Sequence, residues 1–150
     1  MPQSLGHIIV HLTFSTKHRH PFLNGPIRER MHTYLSAIVR DSGSFCYRVG
    51  GVSDHVHLAI GLSRTTSAAN LVEEIKTGSS RWVKGQDPTC TDFSWQRGYG
   101  IFSAYYRDVD RLVAYIDTQE EHHKVVTFQE EYRALLIENG IEFDERYVWD

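Results

Sequence analysis

Cysteine is scarce in this chain. Only Cys46 and Cys90 occur among 150 residues, and they stand in no ligand or redox spacing. That excludes a disulfide-stapled scaffold and a cysteine-rich zinc module. The two read as reduced thiols, and the expected location is cytoplasmic. Proline is scarce too, with four residues, and no run of Pro, Gly and Ser forms a linker. One domain over residues 1–150 is therefore expected. No apolar run approaches the roughly 20 residues that a membrane helix needs, so no membrane partner is expected. Met1-Pro2-Gln3-Ser4-Leu5-Gly6 lacks a basic segment and an apolar stretch, so no secretory leader is expected. Internal repeats and low-complexity tracts are absent. What remains is ordinary globular composition, 41% apolar and 23% charged. A chain of this size buries roughly 70% of its unfolded surface, enough for a real core.

Positive charge is short overall, with a net charge of -3, but it is unevenly spread. Residues 1–116 carry 13 Lys and Arg against 9 Asp and Glu, and residues 117–150 carry 3 against 10. A mildly basic body with an acidic C-terminal segment is compatible with a phosphate-bearing partner, and equally with an ordinary mixed surface.

The periodicities give an element order. Residues 7–15 are rich in β-branched and aromatic types and read as a strand. Pro26 opens a helix, in which Ile27, Met31, Tyr34, Leu35, Ile38 and Val39 recur at helical spacing before Gly43. Residues 45–49 form a second strand, Gly50, Gly51, Ser53 and Asp54 a turn, and residues 55–62 a third strand. A second helix runs from about Ser67 to Val83, with Leu71, Ile75, Ser79 and Trp82 along one stripe. A fourth strand spans 99–106. Asp108 opens a third helix through about His123, and Thr127 caps a fourth that ends near Gly140. The order β-α-β-β-α-β is the ferredoxin-like, split βαβ plan of the α+β class. It places the first and third strands in the middle of an antiparallel sheet, helices on one side, with further C-terminal helices.

The third strand carries the chemistry. Side chains alternate between faces, so Val56, Leu58, Ile60 and Leu62 form a core stripe while His55, His57, Ala59 and Gly61 take the other face. The two histidine Cα atoms stand roughly 6.6–6.8 Å apart, close enough for both imidazoles to reach one metal ion, and their small neighbours leave room for a ligand. Two ligands do not define a site, and two half-exposed sheet histidines fit the same pattern. On the third helix, Tyr115 and Gln119 are four residues apart and share a face, with His122 on nearly the same side. Tyrosine can be a covalent nucleophile, and an amide oxygen can coordinate a cation. A packed Tyr beside a solvated Gln fits this spacing as well.

Asp54-His55-Val56-His57-Leu58, followed by Tyr115-Ile116 and Gln119, resembles the single-tyrosine HUH transposases of small bacterial insertion sequences, among them the repeat-associated tyrosine transposases. The likeness continues in His11-Leu12-Thr13-Phe14-Ser15-Thr16-Lys17, in Ile75-Lys76 through Ser80-Arg81-Trp82, and in Trp95 through Ser103, and so covers nearly the whole chain. Two departures stand out. Thr118 replaces an expected Asn, and Tyr105 and Tyr106 replace a shorter polar pair. Tyr115 is preferred as the nucleophile because only it has a Gln four residues later.

The resemblance implies a DNA transposase that cleaves and rejoins single-stranded DNA at hairpin-bearing element ends. The Tyr115 hydroxyl would attack a phosphodiester to give a 5′-phosphotyrosine and a free 3′ hydroxyl. His55, His57 and Gln119 would hold a divalent cation. Imidazoles favour later first-row ions in raw affinity, while cellular abundance points to Mg²⁺, with Mn²⁺ as substitute. The residues do not identify the base that takes the tyrosine proton. The resemblance also implies a homodimer whose active sites are shared, the His pair of one subunit meeting the tyrosine helix of the other. Phosphate contacts are expected from Lys17 and Arg19 after the first strand and from Lys76, Arg81 and Lys84 on the second helix. Trp95 and Tyr99 suit either base stacking or the core. The alternatives are a domesticated relative acting on chromosomal hairpins, a non-catalytic single-strand-binding module, and a metal-dependent phosphodiesterase using water.

Overall fold

Four strands make one antiparallel sheet in the computed structural model, which describes residues 2–150. They are β1 (Ile9–Ser15), β2 (Phe45–Val52), β3 (His55–Gly61) and β4 (Gly100–Ala104), in the order β2-β3-β1-β4. The expected split βαβ arrangement is present, with β1 and β3 central and Thr13 opposite His57. Helices α1 (Pro26–Asp41) and α2 (Ala68–Gln86) cover one face. There Leu12, Phe14, Leu58 and Ile60 pack with Met31, Leu35, Leu71 and Ile75 in the main core. Pro26 sits in the first turn of α1, and the Ser67 hydroxyl caps α2 by accepting from the Asn70 amide.

Helices α3 (Val109–Asp117), α4 (Gln119–His122) and α5 (Phe128–Glu138) follow β4. The single helix expected over 108–123 is broken at Thr118, whose φ of -97° and ψ of 14° leave the helical range. The β-branched Thr118 turns its hydroxyl back onto the Tyr115 carbonyl, 3.1 Å away, an alternative to the regular ladder. Thr127 caps α5 as expected, accepting from the Glu130 amide at 3.2 Å.

Two glycines lie where the second face of the sheet receives these helices. Gly50 is inside β2 rather than in the expected turn, which is the tight Ser53-Asp54 connection between paired Val52 and His55. A Cβ on Gly50 would stand 2.6 Å from Ile116 Cγ2 and 2.9 Å from the Ile116 carbonyl oxygen, so α3 can dock here only against a bare backbone. On β4 a Cβ at Gly100 would meet the Tyr132 ring at 2.7 Å, which seats α5. Phe102, Phe128, Tyr132 and Leu136 form the second, smaller core that holds α5 down. Burying each such side chain contributes about 1.5–3 kcal/mol. The fourth strand is shorter than expected at both ends, and Tyr105 and Tyr106 project into solvent. No helix among the described residues is long and apolar enough to cross a membrane.

Candidate active site and metal centre

The alternation of β3 sends His55 and His57 to the face opposite the main core, where the neighbouring strand adds His11 and Thr13. The sequence suggests that this surface is open, but it is closed. Both histidines are 0% exposed, because the apolar side of α5 has more to gain by docking on Phe102 and Gly100 than by staying in water.

Docking α5 delivers a carboxylate, Glu131, into the middle of the histidines. Glu131 Oε1 stands 3.0 Å from His57 Nε2, 3.2 Å from His123 Nε2 and 3.6 Å from His55 Nε2. Its Oε2 accepts the Tyr115 hydroxyl and, at 3.1 Å, the amide NH₂ of Gln119. With its NH₂ so committed, Gln119 turns Oε1 toward His55 Nε2 at 3.0 Å and His123 Nε2 at 2.9 Å. The outer ring nitrogens are fixed as well. His55 Nδ1 donates to Asp54 Oδ1 at 2.7 Å, and His57 Nδ1 lies 2.7 Å from His11 Nε2. The ligand atoms of His55, His57, His123 and Glu131 all lie within 4.8 Å of one another, a grouping that could hold a metal ion.

The electrostatics follow from burial and from this carboxylate. Burial lowers His57 to about 4, against the pull of Glu131. Burial, helped by His57, lowers His11 to about 3. Both rings are therefore neutral near pH 7, as a metal ligand and its support must be. Burial alone would raise the Glu131 carboxyl, but hydrogen bonds from His123, His57 and Tyr115 outweigh it and hold the group ionised, far below the usual range. Burial and the adjacent Glu131 charge push the Tyr115 hydroxyl well above the ordinary tyrosine value.

This constellation of two strand histidines, a helix tyrosine and a glutamine one turn later can be compared with known proteins. The family model described as IS200-like transposase matches residues 4–119. The chain belongs to the IS200-like transposases. A solved structure of a candidate transposase from Deinococcus radiodurans R1 shares the fold, with a TM-score of 0.62 at 20% identity over 79% of this chain and 98% of that one. A REP-associated tyrosine transposase bound to a REP hairpin gives a TM-score of 0.59 at 16% identity, over 84% of this chain and 76% of that one. No curated protein matches the sequence.

The transposase brings Tyr115, His55, His57 and Gln119 together within one chain. Sharing between subunits, which the resemblance implies, is not needed to complete the constellation, because α3 docks on its own sheet at Gly50. The basic residues separate into two kinds. Lys76 is not a free phosphate contact. Its ammonium donates to the carbonyls of Gln96, Arg97 and Gly98 at 2.7, 3.0 and 2.6 Å, which uses all three donors, and burial lowers it to about 8. Lys17, Arg81 and Lys84 are exposed. Arg19 is half-buried, its guanidinium 5.8 Å from the Trp149 ring centre. Trp95 belongs to the core and donates to Ser79 Oγ at 2.9 Å.

Sequence reasoning missed Glu131, His123 and His11. Two of them carried a legible signal. Phe128, Tyr132, Leu135 and Leu136 make the apolar stripe of α5, and Glu131 falls inside it, where an unpaired charge would be costly. His11 sits on a central strand buried on both faces, so its ring needs a partner there.

Proposed function

We propose that this transposase, working as one domain, cleaves and rejoins single-stranded DNA at hairpin-bearing ends through a 5′-phosphotyrosine on Tyr115. The observation that carries the reading is the meeting of the Tyr115 hydroxyl with Gln119 and the His pair around one carboxylate. Tyr115 is half-buried, and its open side is where a phosphodiester approaches. Its oxygen forms the new P–O bond as the bond to the 3′ oxygen breaks, and the leaving strand keeps that oxygen as a hydroxyl. The ester is conserved in energy, so no nucleotide cofactor is required. Glu131 Oε2, already the acceptor of that hydroxyl, is the proton acceptor in reach. A divalent cation held by His55, His57 and Gln119, Mg²⁺ on grounds of cellular abundance or Mn²⁺ in its place, would supply charge stabilisation at the phosphate. Lys17, Arg19, Arg81 and Lys84 contribute phosphate contacts, and a homodimer in the cytoplasm would hold two DNA ends together, each chain with its own complete site.

The hairpin-bound REP-associated neighbour supports a second reading, a domesticated enzyme acting on chromosomal hairpins with the same residues. Incubation of the protein with single-stranded DNA from its gene's flanks and Mg²⁺ or Mn²⁺, followed by a denaturing gel, tests the chemistry. Wild type should carry covalently attached DNA, EDTA should prevent it, and Tyr115→Phe should abolish it while hairpin binding persists. Adduct in Tyr115→Phe, or its loss only in Tyr105→Phe or Tyr106→Phe, would move the nucleophile. Mixing a tagged His55→Ala/His57→Ala chain with Tyr115→Phe tests sharing. No adduct should form if each chain completes its own site, whereas adduct on the tagged chain would show that sites are shared.

A further inference from the structure

We propose that the ion site is a three-histidine, one-carboxylate centre, in which Glu131 and His123 ligate alongside His55 and His57, and that it takes a first-row transition ion in preference to Mg²⁺. The inference rests on the proposed function in placing an ion at the His pair. Glu131 and His123 lie beyond residues 4–119, the stretch matched by the family model.

The spacing of the donor atoms speaks first. Ligands at roughly 2.0–2.2 Å around a tetrahedral ion stand about 3.4 Å from one another. Glu131 Oε1 is 3.0, 3.2 and 3.6 Å from the Nε2 atoms of His57, His123 and His55. One oxygen thus gathers three imidazoles at once; the His57 and His123 contacts are hydrogen bonds in the metal-free protein, and an ion would replace those Nε2 protons at nearly the same spacing. His55 Nδ1 donates to Asp54, which orients the ring with Nε2 toward the cluster, as a carboxylate behind a metal-binding histidine does. That Nε2 faces Gln119 Oε1 at 3.0 Å, and the NH₂ of Gln119 serves Glu131. Glu131 is 4% exposed, and among the described residues its close nitrogen partners are the four imidazoles of His55, His57, His122 and His123. His122 Nε2, 3.4 Å from Glu131 Oε2, is itself buried without a hydrogen-bond partner.

The donor set then selects the ion. Mg²⁺ demands octahedral oxygen ligands and keeps its waters, whereas imidazole suits later first-row ions such as Ni²⁺ and Zn²⁺. A groove of about 500 Å³ lined by Asp54, His123 and Phe128 reaches the His123 edge of the cluster.

The test reads binding, not DNA cleavage. Chelator-treated protein is titrated with Co²⁺ and followed by visible absorption, with calorimetry for Zn²⁺, Mn²⁺ and Mg²⁺. One equivalent of Co²⁺ should bind with the intense bands of a low-coordinate nitrogen-rich site, and Mg²⁺ at millimolar concentration should not displace it. Glu131→Gln and His123→Ala should each weaken Co²⁺ binding by at least about 100-fold and change the spectrum, while exposed Glu130→Gln leaves both unchanged. Circular dichroism of the metal-free variants checks the fold, and His123→Ala decides if Glu131→Gln unfolds. Unchanged Co²⁺ affinity in folded variants, or displacement by equimolar Mg²⁺, would overturn the proposal. Glu131-dependent Co²⁺ binding without any DNA adduct would sink only the cleavage reading. Adduct formation with a Glu131-independent ion would sink only this one.

Discussion

Gly50→Ala should cripple the transposase without touching any polar group of the site. The added Cβ would lie 2.6 Å from Ile116 Cγ2 and 2.9 Å from the Ile116 carbonyl oxygen, where ordinary van der Waals separations begin at about 3.5 Å. The isoleucine side chain can rotate away, but the carbonyl is part of α3 and can retreat only with the helix. A withdrawal of roughly 0.6 Å carries Tyr115 and Gln119 with it, since one flanks Ile116 and the other lies one turn on. Misplacement of reacting groups by about 1 Å costs on the order of 100-fold in rate, so a loss of roughly 10- to 100-fold in single-turnover adduct formation is expected. Overpacking costs about 1–3 kcal/mol, offset by about 0.4–1 kcal/mol from stiffening the unfolded chain. The melting temperature should therefore fall by only a few degrees. Two comparisons isolate the cause. Gly85→Ala, near the end of α2 with nothing within 4 Å of its Cβ, should stabilise the protein slightly and leave adduct formation intact. Adding Ile116→Ala to Gly50→Ala should restore little, because the carbonyl clash remains. Wild-type adduct formation in Gly50→Ala at unchanged melting temperature would refute the claim that this glycine sets the height of the tyrosine helix.

Other outcomes follow from the same geometry. Lys76→Met should cost about 1–3 kcal/mol, seen in a thermal melt, by leaving the carbonyls of residues 96–98 without a donor, and should leave the salt dependence of DNA binding unchanged. Arg81→Glu should do the reverse, flattening the log–log salt slope by about 0.7 for each phosphate that is no longer neutralised, and an unchanged slope would make Arg81 plain surface. His11 and His57 have folded pKa values of about 3 and about 4, below the roughly 6.5 of an unfolded histidine. The unfolded chain therefore takes up their protons first, and their contribution is full above about pH 6.5 and lost as pH falls toward 4. Metal-free urea melts should show stability declining by about 1.4 kcal/mol per pH unit for each ring, and His11→Phe should roughly halve the decline. A flat profile down to pH 5 would contradict the buried, neutral state of the pair.

The element order was legible in the sequence because each segment's own period decided it. Strand alternation in 55–62 put the histidines on one face, Pro26 and Thr127 marked helix starts, and Tyr115 and Gln119 stood one helical turn apart. Those are local facts, set by side-chain direction and backbone geometry over a few residues. The resemblance added the chemistry for the same positions. What the sequence could not decide was what lies against what. Gly50 reads as a turn residue until Ile116 is seen above it, and Lys76 reads as a phosphate contact until three carbonyls are found at its ammonium. Glu131 shows only as a charge out of place in an apolar stripe. Its partners lie 74, 16 and 8 residues away along the chain, at His57, Tyr115 and His123, and no local period can encode those separations. They exist because two glycine notches and an aromatic cluster fix where α3 and α5 come to rest on the sheet. Burial then makes the carboxylate and the imidazoles depend on one another.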